Sequence, residues 1–307
     1  MDVEPVDTDP VDAGTGAAPR GTARRRLRPP GAVLGVVPFL LYTATFLLVP
    51  TLVVVVGAFL GTGNRPTLGN LEALTSPSFT SALRHSVVLS TVTAVAGAAL
   101  GAVLAYAVST ARRGGVLGRF VTSLCGVLAQ FGGVALAFAF LATFGASGLV
   151  TTWLQGVGVQ SSGLWLYDWD RGLMLVYLYF QVPLMLIVFL PAVEGLRPEW
   201  REATETLGGT TWTYWRRVAG PVLMPSFVGA TLLLFTNSFS AYATAAALVS
   251  QANPLVPLQI AGTFRSEVIL GQENVGKAMA LAMVLVVAVV MTLYTVLDRR
   301  SSRWLRR

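Results

Sequence analysis

Apolar residues along this chain gather in six long runs with almost no charge, and polar residues are confined to the stretches between them. The approximate bounds are Val33 to Leu60, Val87 to Ser109, Val121 to Phe144, Gly172 to Val193, Phe227 to Leu248 and Ala278 to Leu297. Each run reaches the roughly 20 residues that a helix needs to cross a bilayer core about 30 Å thick. The pattern predicts an all-α fold, an integral membrane bundle of six transmembrane helices. Composition agrees: of 307 residues, 54% are hydrophobic and 12% charged, which excludes an ordinary soluble domain. The first run exceeds the roughly 7 to 15 residues of a signal-peptide core and has no convincing cleavage region, so it is expected to remain as an anchor.

Arginine placement sets an expected orientation, because cytoplasmic loops accumulate Lys and Arg. With the amino terminus inside, all but five of the 22 cations fall on the cytoplasmic side. They lie before the first run, at Arg112, Arg113 and Arg119, at Arg197, Arg201, Arg216 and Arg217, and after the last run. The five exceptions, Arg65, Arg84, Arg171, Arg265 and Lys277, are scattered over the external loops. Both termini are then cytoplasmic, in a multi-pass protein of the cell membrane. The net charge of +7 is explained by this topology and implies no nucleic-acid surface. Residues 1–30, with acids first, arginines later and no apolar periodicity, read as a disordered cytoplasmic tail. The membrane domain is expected over 31–300, with a short basic tail at 301–307.

The most informative polar stretch is Glu202 to Pro221, between the fourth and fifth runs. Pro198 suits the first turn of a helix, Glu199 and Glu202 sit near its positive end, and Gly208 can take the left-handed conformation that closes it. Leu196, Trp200, Ala203 and Leu207 recur at helical spacing and make one apolar face. A second short helix follows, with Trp212, Trp215 and Ala219 along one side and Gly220-Pro221 expected to stop it. The unit reads as helix, glycine turn, helix.

Its spacing resembles the cytoplasmic loop signature of binding-protein-dependent ABC importer permeases: Glu-Ala-Ala, three residues, Gly, nine residues, then Ile-x-Leu-Pro. Glu202, Ala203, Gly208, Val218 and Pro221 fall in register, while Thr204, Val218 and Gly220 replace the second Ala, the Ile and the Leu. The resemblance implies a coupling-helix loop between helices 4 and 5, with Glu202, Ala203, Gly208, Gly209, Trp215, Val218 and Pro221 as its ATPase-coupling residues. It further implies two cytoplasmic ATPase subunits, a second permease subunit or homodimer, and an external solute-binding protein. The chain would need no cofactor and would hold no nucleotide site of its own. Within the family the sequence looks most like spermidine or putrescine permeases, and related subfamilies carry iron(III), thiamine, sulfate or phosphonate. Read without the family, the same stretch could be an amphipathic helix pair lying on headgroups.

Other chemistry is thin. The segment from Gly271 to Ala278 nearly spells a nucleotide-binding loop, but Ala278 stands where the magnesium-ligating Ser or Thr is required, and no strand precedes it. His85 is the only histidine and Cys125 the only cysteine, so a zinc site, a disulfide and histidine-based catalysis lack their residues within one chain. Asp168 and Asp170 flank Trp169, either as solvated charges beside an interfacial aromatic, as an acid dyad or as a collector of cations. Gly97 and Gly101, and likewise Gly132 and Gly133, suit close helix approach. Polar residues at Gln130, Tyr177, Gln181, Asn237, Ser240 and Tyr242 are candidates to line a pathway, or else to bond between helices. No charge is placed convincingly inside the membrane, which argues for an external motor over a proton- or sodium-coupled carrier. The competing class is a secondary transporter or a membrane scaffold.

Overall fold

The computed structural model describes residues 30–61, 65–110, 115–159, 163–168, 171–249, 255–265 and 273–304. In chain order the helices are α1 (Pro30–Thr43), α2 (Val49–Ala58), α3 (Gly69–Glu72), α4 (Pro77–Thr110), α5 (Val116–Gln130), α6 (Gly133–Phe144), α7 (Leu149–Gly156), α8 (Gly172–Glu194), α9 (Pro198–Thr206), α10 (Thr211–Tyr214), α11 (Gly220–Phe239), α12 (Ala243–Leu248), α13 (Val256–Arg265) and α14 (Glu273–Trp304). π turns occupy Ala44–Leu48 and Trp215–Ala219. No strand forms among the described residues, and Leu60 and Pro66 make an isolated antiparallel bridge. Six helical stretches are long and apolar enough to cross a membrane: Val36–Ala58, Pro77–Thr110, Gly133–Gly156, Gly172–Glu194, Thr211–Phe239 and Glu273–Val296. The fold is all-α with six candidate membrane helices, as the apolar pattern predicts.

The chain divides into two units, Met1–Pro50 and Thr51–Arg307. In the first, the described residues form one apolar helix whose side chains from Val36 onward are mostly exposed. Pro50 follows its π turn after one residue, Val49. A proline ring clashes with the carbonyl four residues earlier, here Phe46, and the wider turn makes room for it. All packing described below lies within the second unit.

There, α8 is the central helix and serves two cores in succession. Its first half, with Val176, Tyr177 and Phe180, packs on Leu136, Ala137 and Phe140 of α6 and on Ala245 and Leu248 of α12. Its second half, with Met185, Leu186 and Phe189, packs on Ala94, Ala98 and Ala105 of α4 and on Leu223, Ala230 and Leu234 of α11. Small residues on α4 permit the approach. A Cβ on Gly97 would come within 2.8 Å of Gln181 Cβ, and one on Gly101 would meet Met185 Cβ at 2.4 Å and the Val182 carbonyl oxygen at 2.8 Å. These two glycines pack as their spacing predicts. At the start of α4, Phe79 and Ala82 pack against Val256 of α13, where Ser86 Oγ accepts the Val256 N–H at 3.0 Å.

Polar side chains inside the second unit bond between helices. Thr93 Oγ1 donates to the Leu89 carbonyl at 2.8 Å, lies 3.0 Å from Ser238 Oγ, and accepts from Gln181 Nε2 at 3.2 Å. One threonine thereby joins α4, α8 and α11. Gln181 Oε1 is buried with no partner among the described residues.

Two expected spans are discontinuous. The third run does not cross as one helix from Val121 to Phe144: α5 ends at Gln130, and the chain turns through Phe131 and Gly132 before α6 begins at Gly133, whose φ is +68°. Gly132 and Gly133 therefore break a helix instead of packing one, and the candidate span is the α6–α7 stretch. The fifth run likewise breaks at Ser240–Tyr242, between α11 and α12. Tyr177 donates its hydroxyl to the freed Ala241 carbonyl at 2.7 Å, and Thr244 donates to the Gly133 carbonyl at 3.3 Å. Buried backbone groups at each break are thus met by side chains of the same unit, as hydrocarbon demands. The last helix starts at Glu273, inside the loop-like stretch from Gly271 to Ala278; Gly271 and residues 1–29, Trp169, Asp170 and 305–307 lie outside the described residues.

Gly101→Leu should separate α4 from α8 and lower the thermal unfolding midpoint of the detergent-purified protein, since overpacking a close-packed contact costs about 1 to 3 kcal/mol. Gly101→Ala should be milder and Gly118→Ala, with open space around its Cβ position, should leave the midpoint in place. Fluorescence-detected size-exclusion after a heating series reads all three.

Candidate functional site

Residues Pro198 to Pro221 fold as one unit. α9 opens on Pro198, with Glu199 in its first turn, where a proline lacks nothing and a carboxylate meets the positive helix end. It closes as a Schellman turn: Gly208 takes φ +75°, its N–H bonds the Glu205 carbonyl at 2.9 Å, and the Gly209 N–H bonds the Thr204 carbonyl at 2.9 Å. A Cβ on Gly209 would lie 2.7 Å from Thr204 Cγ2 and 2.9 Å from the Thr204 carbonyl oxygen. Both glycines are therefore required, one by its dihedral and one by its neighbour. Thr210 then caps α10, its Oγ1 accepting the Thr213 N–H at 3.3 Å.

The second helix does not stop at Gly220-Pro221. Backbone dihedrals stay right-handed helical through Gly220, and the run from Thr211 to Phe239 is continuous, passing through the π turn at Trp215–Ala219 into α11. Pro221 would clash with the carbonyl of Arg217, and Arg217 sits inside the π turn, so the proline is accommodated as Pro50 is. The loop is thus the first part of the fifth span. The same change of pitch separates the aromatic residues expected on one side: Ala219 is fully buried, Trp215 is half-buried with its ring 5.1 Å from Tyr106, edge to face, and Trp212 is 71% exposed.

Signature residues far apart in sequence meet here. Trp200, Ala203, Thr204 and Leu207 of the first helix and Val218 and Val222 at the base of the span line an apolar groove of about 370 Å³. Thr204, where the signature has Ala, donates its hydroxyl to the Trp200 carbonyl at 2.8 Å and so adds no unmet polar group to that wall. Glu202 is exposed on the outer side of α9. Arg201 and Glu205 pair at 3.1 Å one turn apart, both more than half exposed, a contact worth little energetically. Leu207, at 87% exposure, and Trp212 stand on either side of the glycine turn. Folding of the chain itself gains nothing by exposing such large apolar groups at the tip of a turn.

The polar candidates divide into two sets. Tyr177 and Gln181 are 1% and 0% exposed and donate inside the unit, to Ala241 and Thr93. Gln130, Asn237 and Ser240 are exposed and Tyr242 half-buried, and all four lie at or beside the two helix breaks. Ser240 donates back to the Thr236 carbonyl at 2.9 Å. Thr93, which organises the buried set, escapes a reading by polarity alone, although its place four residues before Gly97 on the same helical face is a usable signal. Asp168 is exposed, just after a 3-10 turn at Leu164–Tyr167.

Comparison with known proteins gives a consistent result. A family model for "Binding-protein-dependent transport system inner membrane component" matches residues 97–307. The sulfate transport system permease protein CysT of Escherichia coli (strain K12) is 25% identical over 173 residues, 56% of this chain and 59% of that one. The thiamine transport system permease protein ThiP of the same strain is 26% identical over 127 residues, 41% of this chain and 23% of that one. This chain thus spans less than two thirds of the length of the curated relatives it matches. Among solved structures, a bacterial ABC transporter involved in import of the acidic polysaccharide alginate contains a chain that superposes with TM-score 0.71 at 16% identity, over 89% of this chain and 95% of that one. The MetNI methionine ABC transporter gives 0.51 at 15%, over 74% and 99%. The family model covers more than half of the chain and takes in the two-helix loop, so this chain belongs to the inner-membrane components of binding-protein-dependent transport systems.

Proposed function

We propose that the chain is the permease subunit of an ATP-driven importer and forms half of the pathway for a small solute. The observation that carries this reading is the α9–turn–α10 unit, whose signature residues converge on one apolar groove and whose glycine turn holds Leu207 and Trp212 outward. That surface fits the cleft of a cytoplasmic ATPase. Glu202, Ala203, Gly208, Gly209, Trp215, Val218 and Pro221 are the coupling residues: Ala203 and Val218 shape the groove, the glycines set the turn, and Trp215 and Pro221 tie it to the span. Two ATPase subunits supply hydrolysis, a second permease subunit or a second copy supplies the other half of the pathway, and an external binding protein delivers solute. Alternating access follows when ATPase closure moves the loop and rocks the helices.

Gln130, Asn237, Ser240 and Tyr242 are the proposed pathway residues, because they surround the helix breaks and keep exposed polar atoms. Tyr177 and Gln181 support them from inside the subunit. The solute proposed is a polyamine, on the resemblance of the external and fifth-span sequence. Relatives named for sulfate, thiamine and starch degradation products span an anion, a cation and saccharides, which supports selection by the binding protein over selection by this chain. Thermal-shift screening of the cognate binding protein against polyamines, oxyanions, thiamine and metal chelates identifies the solute, and a midpoint rise with spermidine or putrescine alone supports the polyamine.

Gly208→Val should abolish solute-stimulated ATP hydrolysis by the reconstituted complex while membrane insertion persists, because a β-branched residue resists φ +75°. The Cβ position itself is open, so Gly208→Asn, which tolerates that region, should retain most of the activity. Equal activity in both variants removes the turn from the mechanism. A cysteine placed at Thr206, in a Cys125→Ser background, should be labelled by a membrane-impermeant maleimide only in inverted vesicles; labelling in right-side-out vesicles overturns the orientation.

A further inference from the structure

On the opposite side of α9 from the apolar groove lies a second, larger cavity, of about 860 Å³. The ends of α4 and α8, the first turns of α5 and the start of α10 enclose it, and Arg119, Arg197 and Arg201 line it with Glu194 as the only acid among the described lining residues. Its balance is therefore positive. Arg201 bonds Glu205 through Nε alone, which leaves its terminal nitrogens for another acceptor. The Tyr214 ring packs into the wall, and its hydroxyl and that of the exposed Ser123 both line this cavity without being used in a hydrogen bond among the described residues.

We propose that this cavity binds a phosphate-bearing anion. Guanidinium forks match phosphate oxygens in bidentate geometry, and the hydroxyls of Tyr214 and Ser123 add neutral donors where the protein itself provides no acceptor. α8 ends at Glu194, on the rim, which puts the cavity at the depth of lipid headgroups, so an anionic lipid and free phosphate offer the same chemistry there. The site does not depend on the direction or energy source of transport. It adjoins α9 through Arg201, so an occupant would touch the proposed coupling unit from its membrane side.

The test uses the full chain purified in a neutral maltoside detergent, with binding of short-chain phosphatidylglycerol and of inorganic phosphate measured by isothermal titration calorimetry. Saturable binding is expected, weakened about tenfold or more in Arg197→Gln, the scale of one lost charge-assisted hydrogen bond. Tyr214→Phe removes only a hydroxyl and should weaken it by about threefold to tenfold. Arg171→Gln, at the other end of α8, should match the wild type. Binding of phosphatidylglycerol without competition by inorganic phosphate assigns a lipid, and competition assigns a soluble phosphate. No saturable binding of either probe, or equal binding in Arg197→Gln, Tyr214→Phe and Arg171→Gln, overturns the proposal.

Discussion

Two absent side chains, at Gly97 and Gly101, set the distance at which α4 meets α8, and the rest of the second unit is arranged around that contact. Between helices in lipid there is no hydrophobic driving force of the kind water provides; close packing and interhelical hydrogen bonds must hold them. Gly101 lets Met185 pack directly on the α4 backbone. One turn earlier, the same proximity brings Gln181 Nε2 within reach of Thr93, which also meets Ser238. The third helix of the contact, α11, packs on both through Leu223, Ala230 and Leu234 and is tied to α4 by the Thr93–Ser238 bond. Measured interhelical bonds of this type average about 0.6 kcal/mol, so their role is to fix register more than to supply stability.

The helix breaks follow the same economy of polar groups. A chain that opens its helix inside the membrane exposes carbonyls that lipid cannot satisfy. Here the broken third and fifth runs lie against each other, so that Thr244 meets the Gly133 carbonyl while Tyr177 meets that of Ala241. Satisfying the backbone from within leaves the remaining polar side chains, Asn237 and Ser240 among them, exposed at the same level.

Much of this is legible in the sequence, and what is not has identifiable physical causes. Charge-free run length finds the membrane helices because the bilayer imposes one thickness on them all, and Gly208 announces its own turn because few other residues adopt its dihedral. Gly97 and Gly101 are legible for the same reason: spacing four apart puts them on one face. Gly132-Gly133 has the same composition and the opposite role, and only the partner across from it, Thr244, decides between packing and breaking. Gly220-Pro221 reads as a stop because local rules assume an α-helical pitch, and the π turn at Trp215–Ala219 changes the pitch. Tyr177 and Gln181 look like pathway residues because polarity can be read from a sequence, whereas rotation of a helix about its axis cannot.

That π turn has a mechanical consequence. Because the helical run is unbroken from Thr211 to Phe239, a stretch of 29 residues, the glycine turn and the break at Ser240–Tyr242 are the two ends of one rod about 44 Å long. A tilt of about 10° at one end sweeps the other through about 8 Å on that length. Had Pro221 ended the helix, a loose joint would separate the glycine turn from the span; with the ring seated past a widened turn, the helical backbone runs on from one to the other, and the π turn and Pro225 mark where that rod bends.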